Sequence, residues 1–275
     1  CVSDVYHSVS RVLQWVQHPI VMTRLKTRRH AMLQFNHAVI PHSDKVYTDD
    51  TVKTAAAAYD TLITGSDQVW NPHIFDFDEM FFFPFETKAI KIGYSVSIGE
   101  SSLEDIRGYS KYAKDFPYVG LREKGAKEKV EAICGHSVVD TVDPVLLLTR
   151  EDWETFVDKS SPLAKEKYLL CYLIDKKPIK QNMAIAEQIA KERGLKIKYI
   201  WMHLEKESFR GNFINDASPV EFLNYMYHAS AVMTDGYHGT VFSTIFNKPM
   251  YSVINNRQST DSRIRDYLTL IGLES

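Results

Sequence analysis

A histidine set between two glycines is the residue of this chain best placed to do chemistry. Residues 230–254 follow the order strand, tight turn, helix and strand, and the predicted helix begins at His238 and ends at Phe246. Gly236 and Gly239 flank the histidine, so the backbone can turn sharply and a ligand can approach closely. In an open α/β sheet the carboxyl ends of the strands face the ligand, and the first amides of the following helix favour an anion. The spacing alone leaves two interpretations open, an active-site histidine or a histidine that caps its own turn.

A second polar loop, Gly65–Pro72, directly follows a predicted strand and could bind sugar hydroxyls. Asp67 and Gln68 offer hydrogen-bond acceptors and donors, and Ser66 adds a hydroxyl. Trp70 offers a flat apolar face against which a pyranose ring could pack. The alternative is a structural turn in which Asp67 caps a helix and Trp70 fills the core.

Cationic side chains follow two further predicted strands. Arg122 could bind a carboxylate or phosphate through two parallel hydrogen bonds, or it could form an internal ion pair with Glu123. Arg257 lies on the loop beyond the last predicted strand and would suit the same kind of anion. Asp143 precedes a proline that fixes the chain, and we interpret it as structural.

The elements that must position these residues alternate between strand and helix, which is typical of a parallel, doubly wound sheet. The predicted strands are Thr61–Thr64, Ile90–Ser95, Tyr118–Leu121, Ser137–Val142, Tyr168–Ile174, Lys196–Met202, Ala231–Met233 and Met250–Ile254. The predicted helices are 4–18, 20–39, Leu103–Lys114, Glu123–Ile133, Arg150–Val157, Lys180–Arg193, Pro219–His228, His238–Phe246 and Ser262–Ile271.

The series of elements is interrupted once, at the polar stretch Asp158–Lys167. We therefore predict two Rossmann-like domains, 1–157 and 158–275, that face each other across a cleft.

Composition excludes several classes of protein. The 275 residues are 44% hydrophobic and carry a formal net charge of -2, so the chain can bury a core and does not require nucleic acid as a partner. Its three cysteines are widely separated, which argues against a disulfide framework and favours a reducing, cytoplasmic setting. There is no P-loop, no GxGxxG with an acidic partner, no metal-ligand spacing and no apolar run long enough to span a membrane. The sequence thus predicts a globular α/β protein without a metal ion or a nucleotide cofactor.

Four motifs together resemble the polysaccharide pyruvyl transferase family from about residue 20 to the end. In chain order they are Gly65–Pro72, Gly120–Lys124, Asp143–Leu147 and Thr234–Ser243, the last followed by Asn247–Pro249. The resemblance implies a glycosyltransferase-B-like enzyme that transfers pyruvate from phosphoenolpyruvate to two hydroxyls of a sugar, forming a ketal and releasing phosphate. The acceptor would be a cell-surface glycan, such as an exopolysaccharide, or its lipid-linked precursor, which would bring the chain to the membrane surface without a span.

By this resemblance, His238 would be the general acid or base or a phosphate ligand, and Arg122 and Arg257 would hold the anionic groups of phosphoenolpyruvate. Asp67 would position or deprotonate a sugar hydroxyl. The remaining residues expected to bind substrate are Ser66, Gln68, Trp70, Gly239 and Thr240. The first domain would bind the acceptor and the second phosphoenolpyruvate.

One departure from the family pattern concerns the start of the chain. Members usually begin with a strand and a helix joined by a loop that contains glycine and asparagine, and the first residues show no such unit. We therefore expect that an N-terminal βα unit is missing, which could leave the chain inactive. Two other functions stay open at this point, a glycosyltransferase that uses a nucleotide sugar and a non-catalytic glycan-binding protein.

Overall fold

The computed structural model describes residues 19–175, 179–201, 212–254 and 259–273. These residues form two compact units. The described residues of one unit lie within Cys1–His42 and Thr149–Asn256, and those of the other within Ser43–Leu148 and Arg257–Ser275. Each unit contains one parallel sheet.

The described helices are α1 (Pro19–Val39), α2 (Val52–Ala56), α3 (Leu103–Arg107), α4 (Ser110–Ala113), α5 (Lys127–Cys134), α6 (Arg150–Glu154), α7 (Ile179–Arg193), α8 (Pro219–His228), α9 (Tyr237–Ile245) and α10 (Ser259–Leu270). The described strands are β1 (Thr61–Thr64), β2 (Ile90–Val96), β3 (Tyr118–Leu121), β4 (Val139–Asp140), β5 (Tyr168–Leu173), β6 (Lys196–Trp201), β7 (Phe213–Ile214), β8 (Ala231–Thr234) and β9 (Met250–Ser252). Within the described ranges, no helix is both long and apolar enough to cross a membrane.

The β1–β4 unit holds its four strands in chain order, all parallel. Its core is aromatic: Trp70 stacks on Phe82 with ring centroids 4.7 Å apart and meets the edge of Phe116. Helix α10, from the far end of the chain, belongs to this unit, and Ile264 and Tyr267 are among its buried residues. Because the strands are parallel, the loops that follow all four strands leave from one edge of the sheet.

The β5–β9 unit has the strand order β7-β6-β5-β8-β9, again all parallel. The chain winds from β5 outward to β7, then returns to the other side of β5 to form β8 and β9. The winding direction therefore reverses between β5 and β8. In open α/β sheets, ligands bind at such a reversal, beyond the carboxyl ends of the strands.

The α/β class and the parallel strands are confirmed, and every predicted strand is present. The predicted strand Ser137–Val142 is reduced to the two residues of β4, and the other strands differ from prediction by at most two residues. The predicted helix Leu103–Lys114 is divided at Gly108 into α3 and α4, and Glu123–Ile133 begins later, as α5 behind a short 3₁₀ turn. Strand β7 was not predicted, because two residues are too few for a pattern of alternation to be visible. The predicted helix 4–18 lies outside the described residues.

The two units are composed differently from the predicted ranges 1–157 and 158–275. The division falls between Leu148 and Thr149, upstream of α6, and α1 and α10 each pack with the sheet that is distant from them in sequence. Sequence patterning shows where an element lies along the chain but not which sheet it joins.

Candidate functional site

The reversal between β5 and β8 is followed directly by the histidine motif. Strand β8 is buried along its whole length, and the chain then turns through Asp235 and Gly236 into α9. His238 is the second residue of α9, one residue later in the helix than predicted. The structure thus places His238 at the carboxyl edge of this sheet, beside the point where the winding reverses.

The two glycines of the motif are closely packed. A Cβ atom on Gly239 would overlap the side chain of Thr234 and come within 2.9 Å of the ring of Tyr172. A Cβ on Gly236 would lie 2.6 Å from the side chain of Ile174. Since real Cβ atoms do not approach the Cβ of Thr234 this closely, the start of α9 can lie against the end of β8 only with glycine at position 239, whereas at position 236 the end of the Ile174 side chain would have to shift.

Asp235 hydrogen-bonds the turn before α9 to the end of the neighbouring strand β5. Its Oδ1 accepts a hydrogen bond of 2.7 Å from the amide of Ile174, and its Oδ2 accepts one of 3.2 Å from the amide of Asp175. Burial raises the pKa of Asp235 to about 6, although the two amide bonds act in the opposite direction. Sequence reasoning missed this residue; the signal for it was an acidic side chain between a mostly apolar strand and a glycine.

The residues next to His238 in α9 are buried, whereas His238 itself is half-buried. The His238 ring meets the ring of Tyr237 edge-on at 5.3 Å. Thr240 is fully buried, and its hydroxyl pairs with the carbonyl of Gly236 at 3.2 Å and the hydroxyl of Ser252 at 3.0 Å. The Thr240 side chain and the Cα of Gly239 are therefore internal to the packing of α9, and a contact between these two residues and substrate, which remains a prediction, would have to use their backbone. His238 is the member of this group whose side chain reaches solvent.

The Gly65–Pro72 loop lies at the carboxyl edge of the other sheet and is held against β2. Asp67 accepts a backbone hydrogen bond of 2.9 Å from Ser97 and pairs with Val96 as an isolated parallel bridge. Gly65 has a φ of 119°, and a Cβ there would overlap the carbonyl of Tyr94. Asp67 itself has a φ of 69°, a left-handed conformation that aspartate tolerates better than most residues. The loop therefore holds the Asp67 backbone in one place.

The Asp67 carboxylate is bound by arginines from two different elements. Arg122, just after β3, donates from Nη2 to Asp67 Oδ1 at 2.7 Å and from Nη1 to Asp143 Oδ2 at 2.7 Å. Arg263, on α10, places its Nη1 3.6 Å from the same Oδ1 of Asp67. The Asp67 side chain remains 59% exposed, whereas those of Arg122 and Asp143 are 1% exposed. Asp67 is thus the solvent-facing end of a largely buried ionic network.

The role predicted for Arg122 changes accordingly. Burial alone would lower the pKa of Arg122, but the carboxylates of Asp67 and Asp143 outweigh that effect and raise it. Its guanidinium is buried and bonded to carboxylates of its own chain, so it is not the open anion clamp that was predicted. The alternative of an internal ion pair is nearer to the structure, with Asp67 and Asp143 as partners. Asp143 also caps the 3₁₀ turn Pro144–Leu147, which matches the structural role expected of it.

Glu123 extends the network inward. Its Oε1 accepts hydrogen bonds from the hydroxyl of Ser97 at 2.6 Å and from the amide of Ile98 at 3.1 Å. Burial raises the pKa of Glu123, and the Ser97 bond and the charges of Arg122 and Arg263 partly offset the rise. This carboxyl therefore ties the end of β2 to the end of β3 beneath the Asp67 loop.

Trp70 does not form a sugar platform. Its side chain is 0% exposed and lies between Phe82 and Phe116 in the aromatic core. The predicted contact with a pyranose is wrong, and the alternative that Trp70 fills the core is correct. Gln68 is half-buried and accepts a hydrogen bond of 2.6 Å from Asn71, so its amide also supports the loop.

Of the two predicted clamping arginines, Arg257 lies outside the described residues. Arg263, which sequence reasoning missed, lies in α10, and its side chain is 8% exposed. The sequence offered only a weak indication of its burial. The buried face of α10 consists of Arg263, Ile264 and Tyr267, but an arginine in an amphipathic helix is usually solvated. Among the described residues, no group of three or more His, Cys, Asp and Glu side chains is placed to hold a metal ion.

Solved structures with a similar fold include UDP-N-acetylglucosamine 2-epimerases. The enzyme from Methanocaldococcus jannaschii aligns with a TM-score of 0.56 and 11% identity, over 89% of this chain and 77% of that one. The enzyme from Neisseria meningitidis, solved with UDP-GlcNAc, aligns with a TM-score of 0.53 and 12% identity, over 90% of this chain and 82% of that one. At such identities the likeness concerns the fold alone, a glycosyltransferase-B-like fold with two Rossmann-like domains.

Sequence comparison identifies the family. No curated protein matches the chain. The profile of the polysaccharide pyruvyl transferases matches residues 10–257, a span that contains the Asp67 loop, Arg122 and the His238 motif. This chain belongs to the polysaccharide pyruvyl transferase family, a family of transferases.

Proposed function

We propose that this chain transfers the pyruvyl group of phosphoenolpyruvate to two hydroxyls of one sugar in a cell-surface glycan or its lipid-linked precursor. In the overall reaction, two C2–O bonds form to the sugar oxygens and the bond from C2 to the bridging phosphate oxygen breaks. One hydroxyl proton goes to the methylene carbon, which becomes a methyl group, and the other leaves with phosphate. The products are a cyclic ketal and inorganic phosphate, and no metal ion or other cofactor enters this balance.

The observation that carries the proposal is the position of His238 in a member of this family. It lies in the first turn of α9, at the carboxyl edge of the sheet and beside the reversal of winding. An imidazole there can deliver a proton to the methylene carbon or hydrogen-bond the phosphate, and the first amides of α9 favour the negative charge of the donor. We therefore assign phosphoenolpyruvate to the β5–β9 unit.

We assign the acceptor to the β1–β4 unit, at Asp67. A carboxylate that is 59% exposed and fixed from behind can accept hydrogen bonds from sugar hydroxyls. With Trp70 buried, recognition of the sugar rests on polar contacts at this edge. A lipid-linked acceptor would bring the protein to the membrane surface at the cytoplasmic face, where phosphoenolpyruvate is available.

The test is release of phosphate from phosphoenolpyruvate, measured with and without a panel of galactosides, mannosides and amino sugars. Release that depends on one class of glycoside is the expected result. His238→Gln and His238→Ala should lower kcat/KM by roughly 100-fold or more, the usual contribution of an acid or base catalyst.

A matched control is His228→Gln. His228 is the last residue of α8, so it lies at the opposite end of the same sheet, where its Nε2 is 2.9 Å from the carbonyl of Asp158. This variant should keep the wild-type rate. Equal rates for wild type and His238→Gln would contradict the role of His238, and binding of a nucleotide sugar without any response to phosphoenolpyruvate would favour a glycosyltransferase.

A further inference from the structure

Two arginines face the same carboxylate oxygen of Asp67. They come from different elements of the fold and differ in the residues that hold them in place. Arg122 lies 2.7 Å from Asp67 Oδ1 and is braced by Asp143, which is itself buried. Arg263 lies 3.6 Å from the same oxygen and reaches it from α10, near the end of the described chain. The Asp67 carboxylate is therefore held from two directions.

The two arginines have different consequences for the fold. Arg122 bridges the loops after β1 and β4, so its loss would leave the buried carboxylate of Asp143 without that ion pair. Arg263 faces the exposed Asp67, and its charge also acts on Glu123. Replacing Arg263 with an apolar side chain of similar length therefore keeps both carboxylate partners of Arg122 and removes a positive charge that acts on Asp67 and on Glu123.

We propose that Arg263 is a positioning residue for the sugar acceptor: from α10 it holds the solvent-facing carboxylate of Asp67 in the orientation that receives the sugar hydroxyls. The inference rests on the proposed function, because it takes Asp67 as the acceptor contact. The proposal gives α10 a role in determining acceptor specificity, although this helix is distant in sequence from the Asp67 loop that it orients. It also predicts that acceptor binding, and not donor binding, depends on this ion pair.

The experiment compares Arg263→Met with Arg265→Met in full kinetics against both substrates. Arg265 lies on the same helix two residues away and is exposed, so Arg265→Met controls for loss of a positive charge from α10. Arg263→Met should raise the KM for the acceptor about tenfold, the effect of roughly 1.4 kcal/mol, with the KM for phosphoenolpyruvate unchanged. Arg263→Lys should restore part of the acceptor affinity, because it retains the charge without the guanidinium fork.

A double-mutant cycle separates positioning from general destabilisation. In the Asp67→Asn background, Arg263→Met should add little further effect, because the group that it orients is already altered. Additive effects, a parallel rise of both KM values, or an acceptor KM equal to that of Arg265→Met would overturn the proposal. If Arg263→Met does not fold, Arg263→Lys and its cycle with Asp67→Asn decide the question by the same criteria.

A binding measurement keeps this proposal distinguishable from the proposed function. Saturation-transfer NMR with the same glycosides, without phosphoenolpyruvate, reports acceptor binding whether or not the chain catalyses transfer. If wild type releases no phosphate but binds a glycoside that Arg263→Met does not, the proposed function fails and the role of Arg263 stands. If wild type binds no glycoside, the role of Arg263 fails as well.

Discussion

Two carboxylates, one in each unit, show how the surroundings of a residue decide its function. Asp235 is buried and accepts hydrogen bonds from the amides of Ile174 and Asp175, so it serves as a tie between strand ends. Asp67 is exposed and faces arginines, so it is a candidate contact for a ligand. The same side chain is structural in one setting and a candidate contact in the other, and burial separates the two roles.

The raised pKa of Asp235 predicts a specific dependence of stability on pH. Because the pKa in the folded state, about 6, lies above the ordinary value of 3.8, the fold favours the protonated form. The stabilisation is complete below the lower pKa and is lost as the pH rises through the higher one. At about 1.4 kcal/mol per pKa unit, the change is on the order of 3 kcal/mol.

Urea unfolding of wild type and Asp235→Asn between pH 4 and 7 measures this effect. The stability of wild type relative to Asp235→Asn should fall as the pH rises. Asp152→Asn is a control, because hydrogen bonds from the Thr149 amide and hydroxyl lower the pKa of Asp152 in its capping box. The stabilisation from that carboxylate is lost only as the pH falls below about 4, so the stability of wild type relative to Asp152→Asn should stay nearly constant across this range. A relative stability of Asp235→Asn that stays flat across this range would show that burial does not govern the carboxyl.

At the scale of elements, α9 is the part of the fold that fixes His238. Its first turn has no side-chain cap and is held by close backbone packing at Gly236 and Gly239. The Ser243 hydroxyl adds a 2.7 Å bond to the carbonyl of Gly239 inside the helix. The position of the imidazole therefore depends on the fit of this helix against β5 and β8.

Gly239→Ala tests that fit. The new methyl group would overlap Thr234 and crowd Tyr172, so we expect a loss of about 1–3 kcal/mol in the free energy of unfolding, together with lower activity. Gly108→Ala is the matched control, since Gly108 has a right-handed backbone with a φ of -60° and no atom within 4 Å of an added Cβ. Its stability should stay within about 0.5 kcal/mol of wild type. Equal stabilities of the two variants would mean that α9 can shift without cost.

The strands and the His238 helix could be predicted because they depend on local patterns. Strand β8 is a short apolar run ending in a glycine turn, and Pro219 marks the first residue of α8. Trp70 was misplaced because the polar residues beside it in sequence are not its neighbours in space, where the aromatic rings of Phe82 and Phe116 surround it. Arg263 was missed because its partner, Asp67, lies in a distant part of the chain, and no local pattern shows such a pair.

At the scale of the whole molecule, each unit has its own cluster at the carboxyl edge of its sheet. One contains His238 and, three residues earlier in the same turn, Asp235, and the other contains Asp67 with Arg122 and Arg263. Pyruvyl transfer needs a donor and an acceptor, and under the proposed function each cluster would bind one of them. We therefore expect His238 variants to affect chiefly the chemistry of phosphoenolpyruvate and Asp67 variants chiefly the use of the glycan.

The most direct test of the proposed function follows the bridging oxygen of phosphoenolpyruvate, labelled with ¹⁸O, in a reaction with the preferred glycoside in D₂O. Pyruvyl transfer breaks the bond from C2 to this oxygen, so the label should leave entirely with phosphate. The ketal methyl group should carry one solvent deuterium, and His238→Gln should form little of either product. Label retained in free pyruvate, with no ketal formed, would show simple phosphate hydrolysis and would contradict the account.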